Sequence, residues 1–171
     1  LKEISEAPTS VEMTLQNKWK TCPDTALYTT ILDRSVIPTF LEEELKQGKI
    51  KRIYFIGQGT AGVAAQGCAD ILASYLADTN IQIRALKSSE LSGFSIRGKD
   101  GDTDSMAEDL VIAISQSGTT TDTNRTVDMV KSRGARTLAI VNRRDSDLTF
   151  KTDGVLYTSS GRDIEMSVAS T

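Results

Sequence analysis

Residues 111–123, Val-Ile-Ala-Ile-Ser-Gln-Ser-Gly-Thr-Thr-Thr-Asp-Thr, carry the chain from an apolar run through hydroxyls and a glycine into the start of a helix. The unbroken run Val111 to Ile114 is the pattern of a parallel strand covered on both faces. Ser115 to Thr121 then place five hydroxyls around Gln116 and Gly118. A helix N-terminus leaves backbone N–H groups unpaired and carries partial positive charge. An anion there gains hydrogen bonds and favourable electrostatics together. Serine and threonine are also the ordinary caps and turn formers of such junctions. Capping accounts for one hydroxyl; five so close together point to a bound anion, a phosphate held without a lysine.

Working outward, apolar strands alternate with amphipathic helices from Lys51 onward. Strands are expected at 52–56, 81–86, 110–114, 137–142 and 155–158, with helices at 61–77 and 121–133, the second ending at Gly134. Short strands separated by helical segments imply right-handed crossovers and a parallel sheet. The expected fold is an α/β doubly wound sandwich of three layers around five parallel strands, whose ligands sit beyond the carboxyl ends of the strands. Residues 1–50 read as helices that precede and pack on a single domain, 51–171. Thr9 to Glu12 has capping-box spacing, and Val11, Leu15 and Trp19 share a helical face. A second helix is expected after Asp24, with Leu27 and Ile31 in register. A third carries Ile37, Leu41 and Leu45 and stops at Gly48.

Length and composition narrow the classes. The 171 residues suffice for one domain with a full core, and 39% hydrophobic with 25% charged content is ordinary for a globular protein. No run approaches a membrane span and no signal-peptide pattern is present, so a cytoplasmic protein without membrane contact is expected. A net charge of −3 with mixed signs argues against a nucleic-acid partner. Cys22 and Cys68 match no metal or redox spacing, which leaves two packed, reduced thiols. The sequence contains no histidine, the usual proton carrier near neutrality. A first residue of leucine suggests a piece of a longer polypeptide. Asp100, Asp102 and Asp104 alternate as in a calcium loop, but the EF-hand glycine and glutamate are missing, so 97–109 reads as a solvated loop.

Gly57-Gln58-Gly59-Thr60-Ala61-Gly62 follows the first strand and opens a helix, which satisfies the dinucleotide pattern G-x-G-x-x-G. The second strand, however, lacks an acidic residue at its end; Glu90 comes four residues past Leu86. The rival reading joins this loop to the hydroxyl-rich one. Gly59 and Thr60 would donate from one wall and Ser115, Gln116, Ser117 and Thr120 from the other, around a monophosphate with a polyhydroxy body. Gln58 and Gln116 could meet its hydroxyls as donor and acceptor.

With these residues in view the chain resembles the SIS (sugar isomerase) domain family, and within it the first half of the isomerase portion of the glutamine–fructose-6-phosphate aminotransferases (glucosamine-6-phosphate synthases). The resemblance rests on Leu1 to Ile4 with Ala7-Pro8, Gly57 to Thr60, Ile114 to Thr123, and Glu165 to Thr171. The pattern Ser-Gln-Ser-Gly-x-Thr-x-Asp-Thr at 115–123 is its most specific part. It implies a flavodoxin-like sheet and binding of fructose 6-phosphate or glucosamine 6-phosphate by Ser115, Gln116, Ser117 and Thr120, with Gly59, Thr60, Val168 and Ser170 around the sugar. The family often has Cys-Gly-Thr-Ser where this chain has Gln58-Gly59-Thr60-Ala61, so one hydroxyl is lost. The family's lysine, glutamate and histidine lie in a second half and a tail. No catalytic residue, cofactor or metal is therefore expected in this chain; Asp122, Glu90 and Glu165 read as capping or surface carboxylates. A homodimer is implied. The alternatives are a phosphosugar-sensing module without turnover and a nicotinamide-dinucleotide-binding domain.

Overall fold

The computed structural model describes residues 2–16, 18–25, 27–95 and 105–158. Helix α1 (Lys2–Leu15) is followed by strands β1 (Trp19–Thr21) and β2 (Tyr28–Thr30), then helix α2 (Thr39–Lys46). Strand β3 (Arg52–Gly57), helix α3 (Thr60–Tyr75) and strand β4 (Gln82–Lys87) come next. A single turn α4 (Ser88–Glu90) runs into a π-helical turn, Leu91–Ser95. The chain finishes with β5 (Asp109–Ser115), α5 (Thr121–Ser132), β6 (Arg136–Val141), α6 (Asp147–Lys151) and β7 (Gly154–Tyr157).

The five strands β3 to β7 form one parallel sheet in the order β4-β3-β5-β6-β7. Alternate residues of its central strands feed two cores, as a period of two demands. Ile53, Phe55, Leu110, Ile112 and Ile114 pack with Ala61, Ala65 and Ala69 of α3 and with Leu41 of α2. Ile56, Val111 and Ala113 pack on the other face with Val127 and Val130 of α5 and Leu148 of α6. This is the doubly wound three-layer sandwich expected from the sequence, and all seven residues of β5 are buried. At the amino ends of the strands Arg52 Nε donates to Asp109 Oδ1 at 2.5 Å. Burial still pushes the Asp109 carboxyl up, the arginine offsetting only part of the desolvation. Arg136 Nε and Nη2 donate to Glu44 at 2.6 and 2.7 Å, tying α2 to β6 and holding the Glu44 carboxyl below its usual range.

The leading segment differs from the expected helices. In place of the helix expected after Asp24, β1 and β2 make an antiparallel hairpin with Trp19 opposite Thr30 and Thr21 opposite Tyr28. Trp19 and Tyr28 meet edge to face at 4.9 Å across the diagonal of that hairpin. The β-branched and aromatic run Tyr28 to Ile31 favours the strand, and Pro23-Asp24 supplies the turn. Helix α1 starts before Thr9 and runs through Pro8, so the capping-box spacing at Thr9 to Glu12 falls inside a helix. The third helix is α2, and the chain leaves it at Gly48 as expected. Much of the acidic loop around Asp100 to Asp104 lies outside the described residues.

Candidate functional site

The strand order reverses direction between β3 and β5. The chain leaves β3 toward β4 on one side and leaves β5 toward β6 and β7 on the other. Neighbouring strands whose helices depart to opposite faces leave a crevice at their carboxyl ends. Ile56 pairs with Ala113 at this point, so the two loops singled out in the sequence emerge side by side.

The loop after β5 is held by its own hydroxyls and by neighbours. Gly118 N–H donates to Ser115 Oγ at 3.0 Å, so Ser115 serves the turn. Gly118 stands at φ +66°, and a β-carbon on it would lie 2.6 Å from Ser146 Cβ. Leu148 N–H donates to Gly118 O at 3.1 Å and Arg143 N–H to Gln116 O at 3.1 Å, which fastens the loop to the segment after β6. Thr119 donates from its N–H and hydroxyl to Ser117 Oγ at 3.3 and 3.1 Å. Thr120 is the N-cap residue of α5, yet its hydroxyl makes no capping bond. Asn124 Nδ2 donates to Gly118 O at 3.0 Å and to Thr120 O at 3.1 Å, so one amide braces both ends of the turn into the helix.

The loop after β3 forms the facing wall. Gly57 lies so close to α3 that a β-carbon there would come within 2.5 Å of the carbonyl carbon and oxygen of Ala61. Between the walls is a cavity of about 190 Å³ lined by Gln58, Thr60, Ala61, Ile114, Ser115, Gln116, Ser117 and Thr120. None of these side chains is charged, and α3 and α5 both begin at this cavity. An anion in it would face two sets of first-turn N–H groups and two helix dipoles of the same sign.

Of the eight residues singled out for substrate binding, the structure brings Thr60, Ser115, Gln116, Ser117 and Thr120 to this one cavity. Gly59 lines a neighbouring cavity of about 370 Å³ with Lys87 and Glu90. Val168 and Ser170 lie outside the described residues, as does Glu165. Asp122 is exposed in the first turn of α5, where its Oδ2 accepts from Gln58 Nε2 at 3.4 Å. Glu90 Oε1 lies 3.8 Å from Lys87 Nζ. Asn124 and Ser146, which shape the loop, escaped the sequence reading. Asn124 sits four residues after Thr120 on a helix, a spacing that could have flagged it; Ser146 carried no such signal.

The family model described as "SIS domain" matches residues 98–171. The chain is thus similar to the SIS domain family over that segment. Its whole length aligns at 31% identity, over 173 positions, with a glutamine–fructose-6-phosphate aminotransferase (isomerizing) of Mycolicibacterium smegmatis, covering 24% of that protein. The chain thus spans about a quarter of the length of the curated relatives it matches. Among solved structures, the C-terminal domain of glucosamine-fructose-6-phosphate aminotransferase from Francisella tularensis superposes with a TM-score of 0.68 at 22% identity, over 99% of this chain and 42% of that one. The Vibrio vulnificus NanR protein, solved with ManNAc-6P, gives a TM-score of 0.58 at 17% identity, over 99% of this chain and 55% of that one. These likenesses establish the fold. Within this fold the sterically constrained glycines, Gly57 and Gly118, stand one on each wall of the crevice.

Proposed function

We propose that this domain binds a sugar phosphate, fructose 6-phosphate or glucosamine 6-phosphate, as the first half of the isomerase portion of a glutamine–fructose-6-phosphate aminotransferase. The observation that carries the reading is the gathering of Thr60, Ser115, Gln116, Ser117 and Thr120 around one uncharged cavity at two helix N-termini. The alignment of the whole chain with a quarter-length segment of such an enzyme supports it. In this reading Ser117, Thr120 and the first-turn N–H groups of α5 hold the phosphate. Gly59, Val168 and Ser170 belong to the sugar end, and residues 51–171 form the SIS unit behind the leading segment 1–50. The domain's share in the parent reaction is orientation: a phosphate fixed at one end sets the position of the reacting carbons. With no histidine in the sequence, the groups that open the ring and move protons come from elsewhere in the parent protein.

The test is a calorimetric titration with both sugar phosphates, repeated on Ser117→Ala and Thr120→Ala. Hydrogen bonds to a charged group contribute about 1.5–3 kcal/mol, so each variant should bind at least about tenfold more weakly. Unchanged affinity in both removes the phosphate from this loop. Affinity for NAD with none for sugar phosphates would restore the dinucleotide reading. A second reading, a phosphosugar sensor without turnover, draws on the absence of any acid or base among the lining side chains. Turnover by the parent protein, assayed with and without Thr120→Ala, separates the two.

The proposal extends to a cytoplasmic homodimer. Both cysteines are free, in keeping with a reducing compartment. Among the described residues no helix is long and apolar enough to cross a membrane. Helix α1 and the hairpin leave Ile4, Val11, Leu15, Trp19, Leu27 and Tyr28 exposed, Leu27 at 68% and Tyr28 at 75%. An apolar surface of this kind marks an interaction face. Light scattering should return twice the chain mass; a monomer at high concentration would reject the dimer.

A further inference from the structure

Gln58 spans the crevice from its β3 side. Its Nε2 donates to Ser89 Oγ at 3.3 Å and to Asp122 Oδ2 at 3.4 Å, two long bonds that reach α4 and α5. Its Oε1 is shielded from solvent and has no hydrogen-bond partner among the described residues. A carboxylate only accepts, so the nitrogen of the amide must face Asp122; reversing the amide would set two acceptors against each other. The oxygen is thus left without a donor. It has lost its hydration and gained nothing in exchange.

The same side chain lines the cavity beside Thr60 and Gln116. The terminal torsion of a glutamine is broad and soft, and the two bonds that restrain this one are weak. A small turn of the carboxamide toward the cavity would let Oε1 accept a hydrogen bond from a ligand placed there. Phosphate oxygens mainly accept near neutral pH and cannot satisfy it. The hydroxyls of a polyol donate and can.

We infer that Gln58 is a specificity-determining residue of this site, accepting a hydrogen bond from a hydroxyl of a phosphorylated polyhydroxy ligand whose phosphate is held by the Ser115 to Thr120 loop. This rests on the phosphosugar reading above. It divides the cavity into a phosphate end, served by hydroxyls and backbone N–H groups, and a polyol end read by one amide oxygen.

The test titrates the 171-residue chain and its Gln58→Met variant with fructose 6-phosphate and with inorganic phosphate, read by phosphorus NMR so that weak binding is measured. Methionine keeps the length and removes the acceptor. The expected result is about a tenfold rise in the Kd for fructose 6-phosphate with the Kd for phosphate held within about twofold. Gln58→Ala, checked by its melting temperature, should give the same split. Equal weakening toward both ligands would show that Gln58 only braces Ser89 and Asp122, and would overturn the inference. So would no weakening toward either. If the unsubstituted chain binds neither ligand, the phosphosugar reading falls and the inference with it; if it binds both and the variants show no split, the inference falls alone.

Discussion

Gly118→Ala should destabilise the domain by about 3 kcal/mol and abolish sugar-phosphate binding at concentrations that saturate the unsubstituted chain. Two costs add. An alanine at φ +66° occupies the left-handed region, at about 1–2 kcal/mol. Its methyl would also lie 2.6 Å from Ser146 Cβ and 3.1 Å from Val141 Cγ2. The Ser146 hydroxyl can rotate away, but its Cβ is fixed to the backbone of a residue that is itself buried and cannot, so overpacking adds about 1–3 kcal/mol. Relief requires the loop to lift off that residue. Lifting it breaks the Leu148 N–H bond to Gly118 O and the Asn124 amide bond to the same oxygen. Denaturant unfolding reads the stability, and a titration read beside it gives the binding. A loss below about 1 kcal/mol with affinity retained would mean the loop is not fixed as described.

Gly57→Ala should cost a similar amount, about 3 kcal/mol, with no ligand present. Its β-carbon would meet backbone rather than a side chain: Ala61 C and O at 2.5 Å and Gly62 N at 2.9 Å. No rotamer change moves a helix backbone, so the start of α3 must shift away from β3. Thr60 and Ala61, which line the cavity, shift with it. Gly67→Ala is the control. That residue lies within the same helix with nothing within 4 Å of a new β-carbon, and the change should stabilise the protein by up to about 1 kcal/mol through helix propensity. The comparison bears on the dinucleotide pattern at Gly57 to Gly62. If the glycine served a cofactor's approach, Gly57→Ala would melt like the parent chain and lose only binding.

The sheet was legible because its strands are unambiguous. Val111 to Ile114 offers no polar residue to any surface, and a strand with both faces covered is what such a run becomes. Helix α5 announced itself by Gly134 after its last turn and by hydroxyls before its first. The hairpin was not legible. Leu27 and Ile31 lie four apart, which suits a helix face, and three-residue strands are too short to display alternation. Helix α6 was missed for the same reason of length, having five residues. At the candidate site, the grouping of the hydroxyl-bearing residues Ser115, Ser117 and Thr120 could be read directly, because neighbours on one short loop reach one cavity without any long-range contact. The roles of Asn124 and Ser146 depend on where a helical turn and the segment after β6 fold back onto Gly118, and a linear pattern does not contain that. Gly59 illustrates the limit within a single loop. It neighbours Thr60 in sequence, yet at φ +59° the chain turns there and the two residues border different cavities.

The uncharged lining of the crevice determines the range over which it can act. A cationic pocket draws anions in from beyond a Debye length and releases them as salt rises. A pocket of hydroxyls, two amides and peptide dipoles exerts its pull within the first turns of the helices that begin there. Such a pocket selects by contact geometry after encounter and not by attraction before it, so its occupancy follows the ligand's own concentration and protonation more than the ionic strength of its surroundings.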